Sequence, residues 1–376
     1  MLATGHLSRT LLAAAAGVIL AGCASAAGSG AAAQPAAGAT APAATPSRAA
    51  ATWTIATRYH IDLWLHGYAM IEDDTTRVPY FVPGYRDAML ALEKRANVSS
   101  QLMVNRDALR ARLAANPQLV GGQFLPLYFD SWEGMQRGID LFLRANGDPR
   151  RAGDRESQQV IAILAASFPT AADRDWLRLF AAGLADESTR FYRSYWDQQQ
   201  RERSPVLTVL DSLWTRVYLP KLQGYLNNTQ QGSGTIFVSL PLDGEGRTIS
   251  GGGRSNAVAV TFPATERAAT DAIYVFAHEV IGTIANQVIA DNTTPAEKRT
   301  GVAAGYTSAA AVRGGTLLLA RVAPELVQGY EQYYLRSARV PATDADLDAA
   351  LARTFPLPAA ILDGMRRQID IVLGGI

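Results

Sequence analysis

The chain has 376 residues, 48% hydrophobic and 18% charged, and 35 basic against 34 acidic side chains leave a formal net charge of +1. So even a balance excludes the basic footprint of a nucleic-acid binder, and so apolar a chain buries a core rather than staying disordered. One cysteine, Cys23, excludes an internal disulfide.

The first 22 residues read as a targeting leader rather than structure. Arg9 gives a positive start, and Leu11 to Leu20 is an apolar stretch too short to span a bilayer as a mature helix. Leu20-Ala21-Gly22-Cys23 closes it. This resembles the lipobox of bacterial lipoprotein precursors, in which small residues enter the peptidase and the cysteine thiol accepts lipid. The alternative is a chance cysteine behind an ordinary signal peptide. The resemblance implies acyl chains on Cys23, each buried CH₂ adding about 0.8 kcal/mol to a firm membrane anchor. Ala24 follows the cysteine where an Asp would mark retention in the inner membrane. The implied address is the cell envelope, on the periplasmic face of the outer membrane of a two-membrane host.

Residues 24–51 contain Ala, Gly, Pro, Ser, Thr and one Gln, with Arg48 as the sole charge and no aromatic residue. That composition predicts a disordered tether. Residues 52–376 follow as one large globular domain, with an alternative split into a helical part, 52–230, and a second part, 231–376. No second apolar run reads as long enough to cross a membrane.

Trp53–Thr57 is expected as a short strand, and Ile61–Ile71 as a helix or strand. Helical spacing then predicts helices over Pro83–Ala96, Arg106–Ala115, Ser131–Asn146, Arg155–Ser167 and Ala171–Arg201. The last carries Trp176, Phe180, Phe191, Tyr192, Tyr195 and Trp196, read as core, with Arg190, Arg193, Arg201 and Arg203 as a solvated stripe. Val206–Leu226 is a helix with a bend expected at Pro220. Gly234–Leu242 and Ala257–Phe262 are strands, rich in β-branched and aromatic residues and bounded by turn formers at Asp243-Gly-Glu-Gly246 and Gly251–Gly253. The glycine-rich Ser250–Arg254 lacks a P-loop ending and reads as a hairpin connection. Ala272–Asp291 is a long helix, apolar on most faces, and Pro295–Val322, Pro324–Ser337, Asp344–Arg353 and Pro358–Val372 are further helices. The fold class is mainly α with a small antiparallel or mixed β-sheet, an α+β arrangement.

The Ala272–Asp291 run carries His278-Glu279 at its centre. Burying two ionisable groups is costly unless they are paired or bind a metal. In HExxH helices two imidazoles four residues apart bind zinc, and the Glu activates the metal-bound water. Here His278 and Glu279 match and Gly282 stands where the second ligand belongs. Two strands followed by this helix resemble the zincin-type, gluzincin-like metallopeptidases with a degenerate motif, HEVIG. The resemblance implies that His278 is a zinc ligand and Glu279 the catalytic base if the site is live. A third ligand would be an acidic residue on a later helix, and Asp291, Glu297 and Glu325 are the candidates. Glu297 and Glu325 both sit at helix starts, where a carboxylate is favoured anyway. His60 and His66 lie six residues apart, about 120° round a helix, so they form no helical ligand pair and read as core or surface histidines. Asn286 is a poor zinc ligand.

Three functions are therefore expected, in order. The first is an envelope lipoprotein with a zincin-like domain that has lost catalysis and binds a protein or peptide, or acts as a scaffold, without a cofactor. The second is an atypical zinc-dependent metallopeptidase, a hydrolase. The third is a helical envelope lipoprotein unrelated to peptidases.

Overall fold

The computed structural model describes residues 50–74, 76–250, 255–341 and 346–374. The expected leader, Cys23, nearly all of the tether and the Gly251–Gly253 turn lie outside the described residues. Four strands form one mixed sheet: β1 (Thr52–Ala56), β2 (Ser233–Ser239), β3 (Arg247–Ile249) and β4 (Asn256–Thr261), in the order β1-β2-β4-β3. β1, β2 and β4 run parallel, and β3 pairs antiparallel with β4 at the edge. The strand β3 was not expected. It is only three residues long, too short for a recognisable alternation. Its antiparallel pairing with β4 fits the hairpin connection expected between them.

Side chains alternate across a strand, so each face of the sheet belongs to a different core. Ile236, Val238, Val258 and Val260 join Trp53, Trp214 and Phe276 on one face. Phe237 and Ala259 join Trp64, Phe180 and Tyr192 on the other. The helices between β1 and β2 divide over both faces. Helix α1 (Tyr59–Ile71), helix α2 (Tyr85–Ala96) and those up to Tyr192 cover the second face, and Ser204–Asn228 and the described helices after β4 cover the first. The sheet is the wall between two helical layers. A parallel strand covered on both sides must be apolar throughout, which is why β4 reads Ala-Val-Ala-Val.

The wall is tied by polar bonds that the apolar pattern does not announce. Asp62 of α1 is fully buried and accepts hydrogen bonds from the Leu240 amide (3.3 Å) and the Trp196 indole (2.8 Å). The indole of Trp53 donates to the Gln231 carbonyl at 2.7 Å, and that of Trp214 donates to the Trp53 carbonyl at 3.2 Å.

Two long helices contain a wide π turn, at Ser188–Tyr192 and Trp214–Tyr218. The second directly precedes Pro220 and makes room for its ring, so the bend expected there is realised as a local loosening with helix on both sides. The Pro295–Val322 helix is divided into Pro295–Arg299, Val302–Gly305 and Thr307–Val322, the first break falling at Gly301 with φ 79°. The aromatic stripe is core for Trp176, Phe180, Phe191 and Tyr192, with Tyr195 and Trp196 partly buried. Arg203 departs from the solvated stripe: its guanidinium donates to the Phe262 carbonyl and is half-buried.

The helix from Glu266 to Asp291 is, by length and composition, apolar enough to cross a membrane, which corrects the expectation that no such run exists. However, 72% of its most apolar stretch is buried against the rest of the protein, as a central core helix should be.

Candidate functional site

The His-Glu helix leaves β4 through Pro263 and runs as Thr270–Val280 and Gly282–Asp291, interrupted at Ile281. Phe276 anchors it, meeting Trp53 and Trp214 edge-to-face at 5.1 and 4.8 Å. The interruption has a local cause. The Val280 carbonyl accepts from the Tyr225 hydroxyl (3.1 Å) and the Gln231 side-chain amide (3.2 Å), two donors competing with the helical one.

His278 and Glu279 face the turn between β2 and β3. Glu245, from the Asp243-Gly-Glu-Gly246 turn, completes a trio with them whose ligand atoms all lie within 4.8 Å of one another. His278 Nδ1 is 3.1 Å from Glu279 Oε1, and its Nε2 is 3.9 Å from Glu245 Oε1. The Gly246 amide donates to Glu279 at 3.0 Å, and the Ser308 hydroxyl donates to Glu245 at 2.9 Å. Tyr334 stacks on the imidazole, centroids 5.3 Å apart, while its hydroxyl donates to the Gly244 carbonyl at 3.1 Å.

Gly246 is small for a reason. A Cβ there would fall 2.1 Å from the Ala259 carbonyl oxygen and 3.2 Å from Glu279 Cγ. The turn therefore lies directly on β4 and on the glutamate, bringing Glu245 over His278.

The electrostatics follow from this packing. Burial works against the imidazolium of His278, but the charges of Glu245 and Glu279 outweigh it and hold the ring above its ordinary pKa. Burial pushes the Glu245 carboxyl up; His278 pulls it back and Glu279 pushes it further up. His278 is 3% exposed and its Nε2 has no hydrogen-bond partner among the described residues. One imidazole and two carboxylates form a donor set of the kind zinc accepts.

The acidic residues expected from later helices do not come here. Glu297 caps its own helix, accepting from the Thr294 amide and hydroxyl at 2.8 Å each. Glu325 pairs with Lys221, and Asp291 and Asn286 are exposed. His60 is bound to the Pro126 and Phe129 carbonyls at 3.2 and 2.9 Å. The residue the sequence reading missed is Glu245, hidden in a segment read only as a turn; an acid between two glycines was its one signal. Ser308, at the start of the Thr307–Val322 helix, is what that helix brings to Glu245.

A Cβ at Gly282 would meet nothing within 4 Å, so a side chain can be attached there without a clash at its first atom. No protein-family model, no curated protein and no solved structure matches this chain.

Proposed function

We propose that the chain is a membrane-anchored envelope lipoprotein whose folded part is a zincin-like, peptidase-related domain that binds a protein or peptide and no longer cleaves one. The observation that carries this reading is the engagement of His278 and Glu279. The imidazole lies under Tyr334 with Nδ1 against Glu279, and Glu279 is held by the Gly246 amide. A general base needs a carboxylate free to take a proton from water, and a zinc helix needs a second side chain where Gly282 stands. The succession of β2, β3 and β4 ahead of the helix favours a peptidase-related fold over an unrelated helical lipoprotein.

A second reading is favoured by one observation, the unpartnered Nε2 of His278 at 3.9 Å from Glu245. In it, Glu245 and His278 would hold zinc, which would polarise a peptide carbonyl, and Glu279 would be the proton acceptor.

Two comparisons on the full chain separate the readings. Metal content is measured in wild type and His278→Ala, and peptide hydrolysis in wild type and Glu279→Gln. The proposal expects equal metal in the first pair and no difference in the second. A zinc lost with His278 and a hydrolysis lost with Glu279 would establish the peptidase.

A further inference from the structure

A second group of metal-type ligands lies on the other side of the sheet. His66 comes from α1, Glu93 from α2 and Glu187 from the end of the Ala171–Glu187 helix. Their ligand atoms all lie within 4.8 Å of one another, and all three residues are buried. We propose that His66, Glu93 and Glu187 are a closed binding site for one divalent first-row transition cation of the zinc or manganese type, which staples three helices of this layer.

Unpaired polar atoms are the first argument. His66 Nε2, both carboxylate oxygens of Glu187 and one of Glu93 have no hydrogen-bond partner among the described residues. The side chains of His66 and Glu187 are 0% exposed. A polar atom left bare inside a protein is costly, so a cluster of them calls for an occupant. One ligand atom from each of the three residues lies in a single cluster, and the contact within it from His66 Nε2 to Glu187 Oε1, at 3.4 Å, is an ion pair only when the ring is protonated.

The orientation of the ring is the second. His66 Nδ1 is 3.1 Å from the Tyr85 hydroxyl, while Nε2 is 3.4 Å from Glu187. With the proton on Nδ1 and given to Tyr85, the Nε2 lone pair faces a carboxylate across that gap; with it on Nε2, the ring pairs with Glu187 instead, and the proposed site takes the first tautomer. Two electron-rich atoms held so are relieved by a cation between them, and a ligating His typically gives its other nitrogen to an outer partner. Ligands around a zinc-sized ion at about 2.1 Å stand roughly 3–3.5 Å apart. The His66–Glu187 pair at 3.4 Å already has that spacing, and the rest of the cluster, bounded at 4.8 Å, must close by up to about 1.3 Å.

The π turn is the third. Tyr192 stacks on His66 with centroids 4.2 Å apart, and Glu187 touches the same ring. Five residues along an α-helix place side chains about 140° apart. The wide turn over Ser188–Tyr192, closed by the Arg193 amide on the Ser188 carbonyl, brings both to one ring. Such turns recur at functional sites.

The rival occupant is a proton shared between Glu93 and Glu187, and cobalt(II) tells the two apart. The full chain is expressed with cobalt(II), freed of loose metal, and assayed for cobalt per chain as wild type, Glu93→Gln and His278→Ala. The proposal expects His278→Ala to retain about one cobalt, with visible d–d absorption, and Glu93→Gln to lower retention at this site by more than about tenfold. Equal cobalt in Glu93→Gln and wild type, or none in His278→Ala, overturns it. Should Glu93→Gln not fold, the visible spectrum of the cobalt-loaded His278→Ala decides alone: bands support the site and their absence removes it. Because the reading uses metal that survives loss of His278, its failure is distinct from failure of the proposed function.

Discussion

Glu245 reaches to 3.9 Å from the Nε2 of His278 because the turn carrying it crosses the end of β4, not because the two are close in sequence. The crossing follows from strand order. β2 and β3 are consecutive in the chain, but β4 lies between them, so the connection must pass over β4. β4 in turn feeds the His-Glu helix, so turn and helix share one end of the sheet.

Gly246→Ala tests whether this crossing sets the site. The added methyl would meet the Ala259 carbonyl and Glu279 at once, and backbone cannot yield as a flexible side chain does. The expected result is a loss of about 1–3 kcal/mol in stability, the range for overpacking. Denaturant unfolding measures it. A variant as stable as wild type would show that the turn has slack and that Glu245 is not fixed over His278.

Asp62 should make stability depend on pH. Burial pushes its carboxyl up to about 7, although it accepts from Trp196 and Leu240. The folded pKa is raised, so the unfolded chain releases this proton first. Its contribution is fully present below about pH 4 and is lost as pH rises through about 7. Asn has no charge to gain with pH, but its amide nitrogen cannot accept as both carboxyl oxygens do, from Leu240 on Oδ1 and from Trp196 on Oδ2. Asp62→Asn should therefore gain steadily on wild type in Tm between pH 4 and pH 8, from whatever offset the lost acceptor sets. A difference in Tm that stays constant with pH would mean that Asp62 is ionised at both.

These cases show what was legible in the sequence. Helices declare themselves by apolar periodicity and the parallel strands by β-branched and aromatic runs between turn formers, and the terminal positions of Arg106–Ala115 and Arg155–Ser167 agree to the residue. The β3 edge does not, because three residues carry no period. His278 and Glu279 stand out because charge inside an apolar helix is anomalous. Glu245 does not, because an acid in a Gly-rich turn is ordinary until strand order places it. Likewise His66, Glu93 and Glu187 are separately unremarkable, and only the packing of three helices brings them together.

Cys23→Ser addresses the membrane end of the proposal. A hydroxyl is a far weaker nucleophile than a thiolate, so the precursor should receive no lipid. Cells fed a labelled fatty acid should label wild type and leave the variant unlabelled. Equal label in both would withdraw the lipid anchor and with it the assignment to the outer membrane.

Gly282→His asks whether the fold still has the shape of a zinc site. The position offers open space, with nothing within 4 Å of an added Cβ. It lies four residues after His278, the spacing that turns two imidazoles towards one metal. The interruption at Ile281 is mild, with φ −73° and ψ −16°, and the Ala285 amide still bonds to the Ile281 carbonyl at 3.0 Å. The new ring is therefore expected on the side of the Glu245–His278 pair, giving two nitrogens and one carboxylate. That is the donor count of a His₂Glu zinc site. Zinc affinity at this site should rise by at least about tenfold over wild type, read by competition with a chromogenic chelator. The rise must vanish when His278→Ala is added, which separates it from metal held by His66, Glu93 and Glu187. A folded Gly282→His chain with unchanged affinity would mean that the break at Ile281 turns position 282 away, and the likeness to a peptidase helix would then end at Glu279.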